Sequence, residues 1–183
     1  MLDRIWGRVE KVESKLRNRF GNSIDTPWQR FWSHVHFQLM DHGFLRILWT
    51  NFYQFSPNAF RSNQPSPRRL RKYKELGVKT IINLRGTPKQ SHYLFEQEAC
   101  DALGLVLINC SMWARACTPK KHFIELFDYF DKIEGPFVLH CKSGADRASI
   151  AAAFYQIYIH GYSVKQTRDQ FSIKYLHLKF TKT

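Results

Sequence analysis

The sequence has no long uninterrupted apolar run, few cysteines and few acidic residues. No apolar stretch approaches the roughly 18 residues that a membrane-spanning helix needs. Residues 1–20 alternate charged and apolar side chains, which is unlike the apolar segment of a secretory signal peptide. These absences argue against a membrane-spanning protein and against a secreted one.

Only four cysteines occur among the 183 residues, and no two of them form a C-x-x-C pair. A chain in which 44% of residues are hydrophobic and 15% aromatic can bury the core of one ordinary domain without disulfides. The seven histidines other than His140 show no metal-ligand spacing with a cysteine. We therefore expect a reduced, cytoplasmic protein that has no metal site.

Acidic residues are scarce, since 15 Asp and Glu stand against 28 Lys and Arg, for a net charge of +13. The imbalance is greatest over residues 61–74, which hold six basic side chains and no acidic one. Such a charge attracts nucleic acid, acidic lipid headgroups or phosphorylated substrates, and it also serves solubility alone. The charge by itself does not choose among these roles.

Short apolar segments alternate with helix signals over residues 50–183. The apolar segments predict strands at 78–84, 105–110 and 136–140, after a strand pair within 52–61. Ser or Thr followed by Pro marks four helix starts, at Thr26, Ser66, Thr87 and Thr118, and glycines mark helix ends. Near-continuous apolar strands separated by helices are typical of a parallel sheet covered on both faces. We predict an α/β fold with a central, mostly parallel sheet flanked by helices.

Residues 1–49 have a different pattern, which predicts a basic, aromatic and helical extension to a domain at 50–183. Apolar residues recur at helical spacing along 2–16, and a second apolar stripe comprises Trp28, Phe31, Trp32 and Val35. The simplest interpretation is that the aromatic face packs on the domain. The alternative is a peripheral contact of residues 1–40 with an acidic membrane or a partner protein, as basic amphipathic helices make.

The most informative stretch contains the pattern C-x-x-G-x-x-R at Cys141, Gly144 and Arg147. An apolar strand leads directly into Cys141, and a helix of small and apolar residues begins at Arg147. A loop that joins a strand to a helix N-terminus directs backbone N–H groups at one point, where they bind a phosphate dianion or stabilise a thiolate. Gly144 permits a backbone conformation closed to other residues, and the Arg147 guanidinium can pair two phosphate oxygens at once.

The segment from His140 to Arg147 closely resembles the signature H-C-x-x-G-x-x-R of the protein-tyrosine and dual-specificity phosphatase superfamily, especially its compact, bacterial-type members. The resemblance extends over residues 50–175. It implies that Cys141 attacks phosphorus to form a phosphocysteine, that Arg147 holds the equatorial oxygens, and that water then hydrolyses the intermediate. No metal or organic cofactor is implied. A histidine before the nucleophile orders the loop in this family, and a buried core histidine is the alternative for His140.

The predicted substrate-binding residues lie in the loop or just after neighbouring strands. Ligands of open α/β sheets gather at the carboxyl ends of strands, where Arg85 and Arg115 are predicted to stand. A solvated arginine is the alternative for each of them. Lys142 adds positive charge toward a polyanionic substrate. The predicted set comprises Lys142, Ser143, Gly144, Ala145, Arg85 and Arg115.

Two departures from the family pattern concern the catalytic steps. The family usually has Ser or Thr after the arginine to steady the leaving thiolate, whereas this chain has Ala148, with Ser149 one residue later. Many members carry an acidic Asp on the loop that corresponds to residues 111–118, which holds no carboxylate here. Asp146 lies inside the signature loop, as in myotubularin and Sac-type phosphatases, and is the predicted general acid. Pairing with a nearby Arg or Lys, or capping of the helix, is the alternative.

The main hypothesis is a cysteine-dependent phosphomonoester hydrolase that acts on a phosphoprotein, an anionic phospholipid or a phosphosugar. A weakly active or inactive phosphate-binding module is one alternative, and a phosphoinositide- or phospholipid-directed phosphatase is another. A rhodanese-like sulfurtransferase is disfavoured because its loop is typically shorter. A nucleic-acid partner is not expected, because only the charge suggests one.

Overall fold

A five-stranded mixed sheet lies at the centre of the computed structural model, which describes residues 20–87, 89–114 and 116–177. The strands are β1 (Tyr53–Ser56), β2 (Ala59–Ser62), β3 (Thr80–Asn83), β4 (Val106–Asn109) and β5 (Phe137–His140). Their order across the sheet is β1-β2-β5-β3-β4. Only the β1–β2 hairpin is antiparallel, and the other neighbouring pairs are parallel. The predicted mostly parallel sheet is confirmed.

Helices cover both faces of this sheet. In the described part of the chain they are α1 (Pro27–Leu39), α2 (Leu45–Leu48), α3 (Pro67–Glu75), α4 (Ser91–Leu103), α5 (Lys120–Lys132) and α6 (Asp146–His160). Two 3₁₀ segments follow at Gln166–Phe171 and Ile173–Tyr175. The helix order between the strands is the one that the alternating sequence pattern predicts.

The Ser/Thr-Pro signals locate three helix starts well and one poorly. Thr26 caps α1 and forms a capping box with Gln29. The start predicted at Thr87 is wrong, because α4 begins only at Ser91. The residues after β3 form a turn instead, in which Asn83 Nδ2 donates to the Gly86 carbonyl at 2.8 Å. Pro88 lies outside the described residues.

The core forms two layers because alternate residues of each strand point to opposite faces. Ile82 and Leu139 belong to a buried cluster with residues of α5 and α6. Ile81 and Val138 belong to a second cluster with residues of α3 and α4. Both faces of the central strands β3 and β5 are therefore buried, and this is why the two strands have nearly continuous apolar sequences.

The described part of the extension packs directly on α4. His36 Nδ1 lies 2.8 Å from Ser91 Oγ, and the His34 ring stacks on Phe95 at 4.5 Å. The predicted packing of the aromatic stripe is wrong for Trp28 and Phe31, which are 68% and 56% exposed. The buried face of α1 comprises Ser33, His36 and Phe37.

Helix α1 packs through Ser33, His36 and Phe37 rather than through its aromatic stripe, because α4 presents both a polar partner, Ser91, and an apolar partner, Phe95.

The helix predicted along residues 2–16 lies outside the described residues. The boundary between residues 49 and 50 stays a prediction, and contacts from α1 to α4 cross it. No helix within the described ranges is both long and apolar enough to cross a bilayer.

Candidate active site

Cys141 emerges at the middle of the sheet, at the carboxyl end of β5. The last residue of β5, His140, is in register with Ser62 of β2 and Asn83 of β3. Cys141 is 1% exposed, and the Gly144 N–H donates to its Sγ at 3.2 Å. The signature loop (residues 141–147) then enters the N-terminus of α6, whose dipole adds positive potential at this point.

The loop requires a glycine at position 144 for two reasons. Gly144 has a φ of +74°, in the left-handed region that residues with a Cβ rarely adopt. A Cβ on Gly144 would also lie 2.8 Å from the Asn63 nitrogen and from the Ser62 carbonyl. The loop therefore packs tightly against the peptide group that joins Ser62 to Asn63 at the end of β2.

A buried arginine, Arg61 of β2, supports the loop from below. Its Nη2 donates to the Gly144 carbonyl and to Ser149 Oγ, each at 2.7 Å. Burial lowers the pKa of Arg61 to about 10, while Tyr175 and Cys141 oppose this effect, so the guanidinium stays charged at neutral pH. The Ser149 hydroxyl is engaged with Arg61, and its predicted help to the leaving thiolate stays a prediction.

His140 is held by a buried carboxylate that sequence reasoning missed. His140 Nε2 lies 2.6 Å from Glu96 Oε1, and both side chains are fully buried. The other Glu96 oxygen accepts from Gln64 Nε2 at 3.0 Å. The histidine is thus a buried core residue paired with Glu96, as the alternative interpretation expected, and its ordering of the loop stays a prediction.

The network of polar side chains that joins His140, Glu96 and Gln64 continues to a buried acid of the extension, Asp41. Arg85 Nη1 donates to Gln64 Oε1 at 2.8 Å, and Arg85 Nη2 contacts Asp41 Oδ1 at 2.7 Å. Arg46 Nη2 contacts the other carboxylate oxygen at 2.7 Å. Burial raises the pKa of Asp41, but the hydrogen bond and charge of Arg85 and the charge of Arg46 outweigh this and hold it well below its usual range.

A pocket of about 380 Å³ lies above Cys141 and is the candidate active-site pocket. Residues of the signature loop line one side of it, and residues 42–49 of the extension, here called the facing wall, line the other. The lining residues are His42, Leu45, Arg46, Trp49, Ala114, Cys141, Lys142, Ser143, Asp146 and Arg147. Lys142 Nζ also lies 3.6 Å from Asp41 Oδ1, which links the loop to the base of the facing wall.

Arg147 and Asp146 both border this pocket. Arg147 Nη1 lies 3.4 Å from the carbonyls of Leu84 and Met112, which position the guanidinium beside the loop. Asp146 Oδ1 lies 2.9 Å from His177 Nδ1, with the two side chains 40% and 25% exposed. The partner of Asp146 is therefore a histidine near the end of the described chain, which neither sequence interpretation included.

The structure thus brings Cys141, Lys142, Ser143, Asp146 and Arg147 together in one pocket. Gly144 and Ala145, in the same loop, are buried and do not line the pocket. The remaining predicted site residues lie elsewhere: Arg85 beneath the loop on Asp41 and Gln64, Ser149 on Arg61, and Ala148 in the core cluster that includes Cys141. Arg115 lies outside the described residues. The roles of these residues toward substrate stay predictions.

Sequence reasoning missed the residues that contact or line the site but lie far from the signature loop in the sequence. They are Asp41, Arg46, Trp49, Arg61, Glu96 and His177. Arg61 belongs to the segment 60–65 that resembles the start of the family domain, but that resemblance assigned it no role in the site. Across the described ranges, no group of three or more His, Cys, Asp or Glu side chains could hold a metal ion.

Comparison with known proteins identifies this architecture at the level of the fold. No protein-family model and no curated protein matches the chain. A solved complex of Pseudomonas aeruginosa TpbA with phosphotyrosine has a TM-score of 0.55 at 19% identity, over 68% of this chain and 74% of that one. The core catalytic domain of the PP-IP phosphatase Siw14 from Saccharomyces cerevisiae, in complex with citrate, has a TM-score of 0.59 at 16% identity, over 71% and 79%.

These similarities establish the fold that the signature loop predicts. The chain has the α/β fold of protein-tyrosine and dual-specificity-like phosphatases, with its five-stranded sheet and flanking helices.

Proposed function

We propose that the protein is a cysteine-dependent phosphomonoester hydrolase with Cys141 as its nucleophile. The observation that carries the proposal is the position of Cys141 Sγ at the base of a pocket, where it accepts the Gly144 N–H at the N-terminus of α6 and Arg147 stands beside it. A backbone N–H and a helix dipole stabilise a thiolate, and the same field binds the phosphate that the thiolate attacks. The fold shared with TpbA and Siw14 supports the same reaction class.

The reaction proceeds in two displacements at phosphorus. In the first, Cys141 Sγ forms a bond to phosphorus while the bond to the leaving oxygen breaks, and Asp146 donates its proton to that oxygen. Arg147 pairs with the equatorial oxygens throughout. In the second, the Asp146 carboxylate takes a proton from water, the water oxygen bonds to phosphorus, and the Cys141 thiolate leaves. Inorganic phosphate is the product, and the enzyme returns to its starting state.

The pocket favours a substrate with an apolar group next to its phosphate. Leu45 and Trp49 of the facing wall stand across from the signature loop, and Ala114 lines the pocket beside them. An aryl ring bonded to the scissile oxygen fits between these side chains, with its phosphate on the loop. We therefore propose aryl phosphomonoesters such as phosphotyrosine as the substrate class, in line with the phosphotyrosine bound by TpbA.

We further propose that residues 1–40 make a peripheral contact with an acidic membrane or a partner protein. The exposed rings of Trp28 and Phe31, on a chain of net charge +13, support this proposal. All four cysteines are free thiols, which supports the cytoplasmic location expected from the sequence.

The decisive experiment measures phosphate release from an aryl phosphate by the purified protein, with a metal chelator present. Wild-type protein should turn over, and Cys141→Ser should not, because a serine hydroxyl is not ionised at neutral pH. Arg147→Lys should also lose turnover, because a point charge does not reproduce bidentate pairing. Equal activity of wild type and Cys141→Ser contradicts the mechanism. Tight phosphate binding without turnover in the wild type identifies an inactive phosphate-binding module.

A further inference from the structure

A second cavity, separate from the active-site pocket, lies between the extension and the start of α3. It encloses about 440 Å³ and is lined by residues 37–50 on one side and residues 64–72 on the other. We call it the α3 cavity. Its lining includes four basic side chains and no acidic one: Arg46, Arg68, Arg69 and Lys72.

Most of this positive charge has no counter-charge in the described part of the chain. Arg46 pairs with Asp41, and Arg69 donates to neutral partners such as Ser62 Oγ and the Tyr73 hydroxyl. The side chains of Arg68 and Lys72 make no hydrogen bond or ion pair with another described residue. A cavity that gathers unpaired cations in this way is complementary to an anion.

The first turn and the charged face of α3 have three features that a bound anion would offset. Arg68 and Lys72 are four residues apart on one face, where like charges repel. The first turn carries Arg68 and Arg69 and no acid, although the positive end of the helix dipole favours negative charge there. The side chain of the N-cap residue Ser66 makes no capping hydrogen bond. A bound anion offsets all three effects, and local conflicts of this kind are typical of functional positions.

Arg46 stands between the α3 cavity and the active-site pocket and lines both. It is 6% exposed, and its Nη1 and Nη2 atoms are held by the Asp41 carbonyl and carboxylate at 2.6 and 2.7 Å. Its buried Nε has no hydrogen-bond partner among the described residues. Arg46 therefore places a fixed positive charge at the border of the two cavities.

We propose that the α3 cavity is a second phosphate-binding site, in which Arg68, Lys72 and the N-terminus of α3 hold a phosphate group. Arg46 adds charge at the inner end of the cavity. The phosphate group belongs either to a substrate with two phosphates, whose other phosphate lies on the signature loop, or to a free anion. The site binds and performs no covalent step, so it does not depend on the proposed hydrolysis at Cys141.

The proposal is tested by calorimetric titration of full-length Cys141→Ser protein with inorganic phosphate at low ionic strength. Two equivalents should bind. The double variant Arg68→Gln/Lys72→Gln should weaken one of them about tenfold or more, because it removes two charge-assisted contacts. The matched control Arg71→Gln/Lys74→Gln removes the same charge from α3 at residues that do not line the cavity, and should keep both equivalents.

An added Arg147→Gln change assigns the two equivalents. If only one equivalent of phosphate binds and only Arg147→Gln removes it, the second site is overturned. The second site is also overturned if Arg68→Gln/Lys72→Gln and its control Arg71→Gln/Lys74→Gln weaken phosphate binding equally. If only one equivalent of phosphate binds and only Arg68→Gln/Lys72→Gln weakens its binding, the second site is supported and the proposed function is contradicted. The two proposals therefore fail independently.

Turnover by protein with Cys141 intact distinguishes the two sources of the phosphate. If the substrate supplies it, Arg68→Gln/Lys72→Gln raises the KM of a small bisphosphate about tenfold and leaves that of the matched monophosphate unchanged. If a free anion supplies it, inorganic phosphate changes turnover of the monophosphate at a concentration that the same double variant shifts. The proposal is overturned if wild type and double variant have the same kinetic parameters for both the bisphosphate and the monophosphate at every phosphate concentration.

Discussion

The two sides of the active-site pocket are held in place by different forces. The signature loop connects β5 to α6, and it is held by backbone contacts and by Arg61 beneath it. The facing wall contains only the four-residue helix α2, whose apolar residues point largely into solvent, with Leu48 95% exposed. Arg46 anchors it to Asp41, which in turn pairs with Arg85, 44 residues further along the chain.

This difference shows how the two sides of one pocket can differ in their sensitivity to the loss of a single ion pair. A strand-loop-helix unit is ordered by neighbours in the chain and by the core beneath it. The facing wall buries little apolar surface and depends on charges that are costly to bury unless they are paired. Variants on the signature loop should therefore change chemistry, and variants at the base of the facing wall should change stability.

Among the variants that compare the two sides of the pocket, Asp146→Asn on the signature loop should have the largest effect. If Asp146 protonates the leaving oxygen, the variant should slow an alkyl or tyrosyl phosphate about 10²–10⁴-fold and an activated aryl phosphate much less. An activated leaving group departs without a proton, whereas a poor one needs it in the transition state. The measurement is kcat/KM for both substrates.

His177→Gln is the companion variant, because it removes the imidazole and leaves the carboxylate. A purely structural Asp146–His177 pair predicts equal losses on both substrates and a matching fall of the melting temperature in the two variants. That result would show that the loop uses another acid.

Asp41→Asn tests the facing wall and should be the most destabilising change. It leaves Arg46 and Arg85 buried without a carboxylate, which costs about 3–5 kcal/mol of the free energy of unfolding. Urea unfolding measures this. Glu98→Gln is the control, since its pair with Arg30 is exposed and contributes about 0–1 kcal/mol. Equal losses in the two variants would remove the distinction between the two sides of the pocket.

The same carboxylate predicts how stability depends on pH. The pKa of Asp41 is lower in the folded protein than in the unfolded chain, where it is about 3.9. Its contribution is therefore complete above that pH and is lost as the pH falls below it toward the folded-state pKa. Asp41→Asn should be less sensitive to acid between about pH 5 and pH 2 than the wild type. Identical acid dependence of the two proteins contradicts the ion-paired state of Asp41.

Trp49→Ala sharpens the comparison at the facing wall, with a smaller effect. Loss of the ring removes apolar contact with an aryl leaving group and should raise the KM about tenfold, with kcat little changed. Trp113→Ala is the matched control, because Trp113 is 51% exposed and does not line the pocket. An unchanged KM in Trp49→Ala, or the same rise in both variants, would exclude the facing wall from substrate recognition.

Ala148→Ser should have the smallest effect, a severalfold rise of the steady-state rate. If breakdown of the phosphocysteine limits turnover, rapid mixing of wild type with an aryl phosphate gives a burst of phenol near one equivalent per enzyme. The variant supplies the hydroxyl that steadies the leaving thiolate. Ala152→Ser is the control, since Ala152 is equally buried on α6. Absence of a burst together with no gain in rate would rule out this limiting step.

Local sequence was sufficient for the central part of this molecule. Apolar runs located β3, β4 and β5, and the C-x-x-G-x-x-R spacing located the loop after β5, because each signal lies within a few consecutive residues. The φ of +74° at Gly144 and the start of α6 beside it are consequences of the same short stretch. The start of α4 was predicted too early, because the Thr-Pro signal at Thr87 follows a turn closed by the bond from Asn83 to Gly86, and the helix begins only at Ser91.

Tertiary structure alone decided what stands opposite the loop. Asp41 meets Arg85, His177 meets Asp146, and both pairs join residues more than 30 positions apart. No periodicity or motif in one sequence records such a pair, since its members approach only after α1 has packed on α4 and the chain after α6 has turned back toward the loop. The α3 cavity has the same origin, because Arg46 joins the cations of α3 only when the extension is docked on the sheet domain.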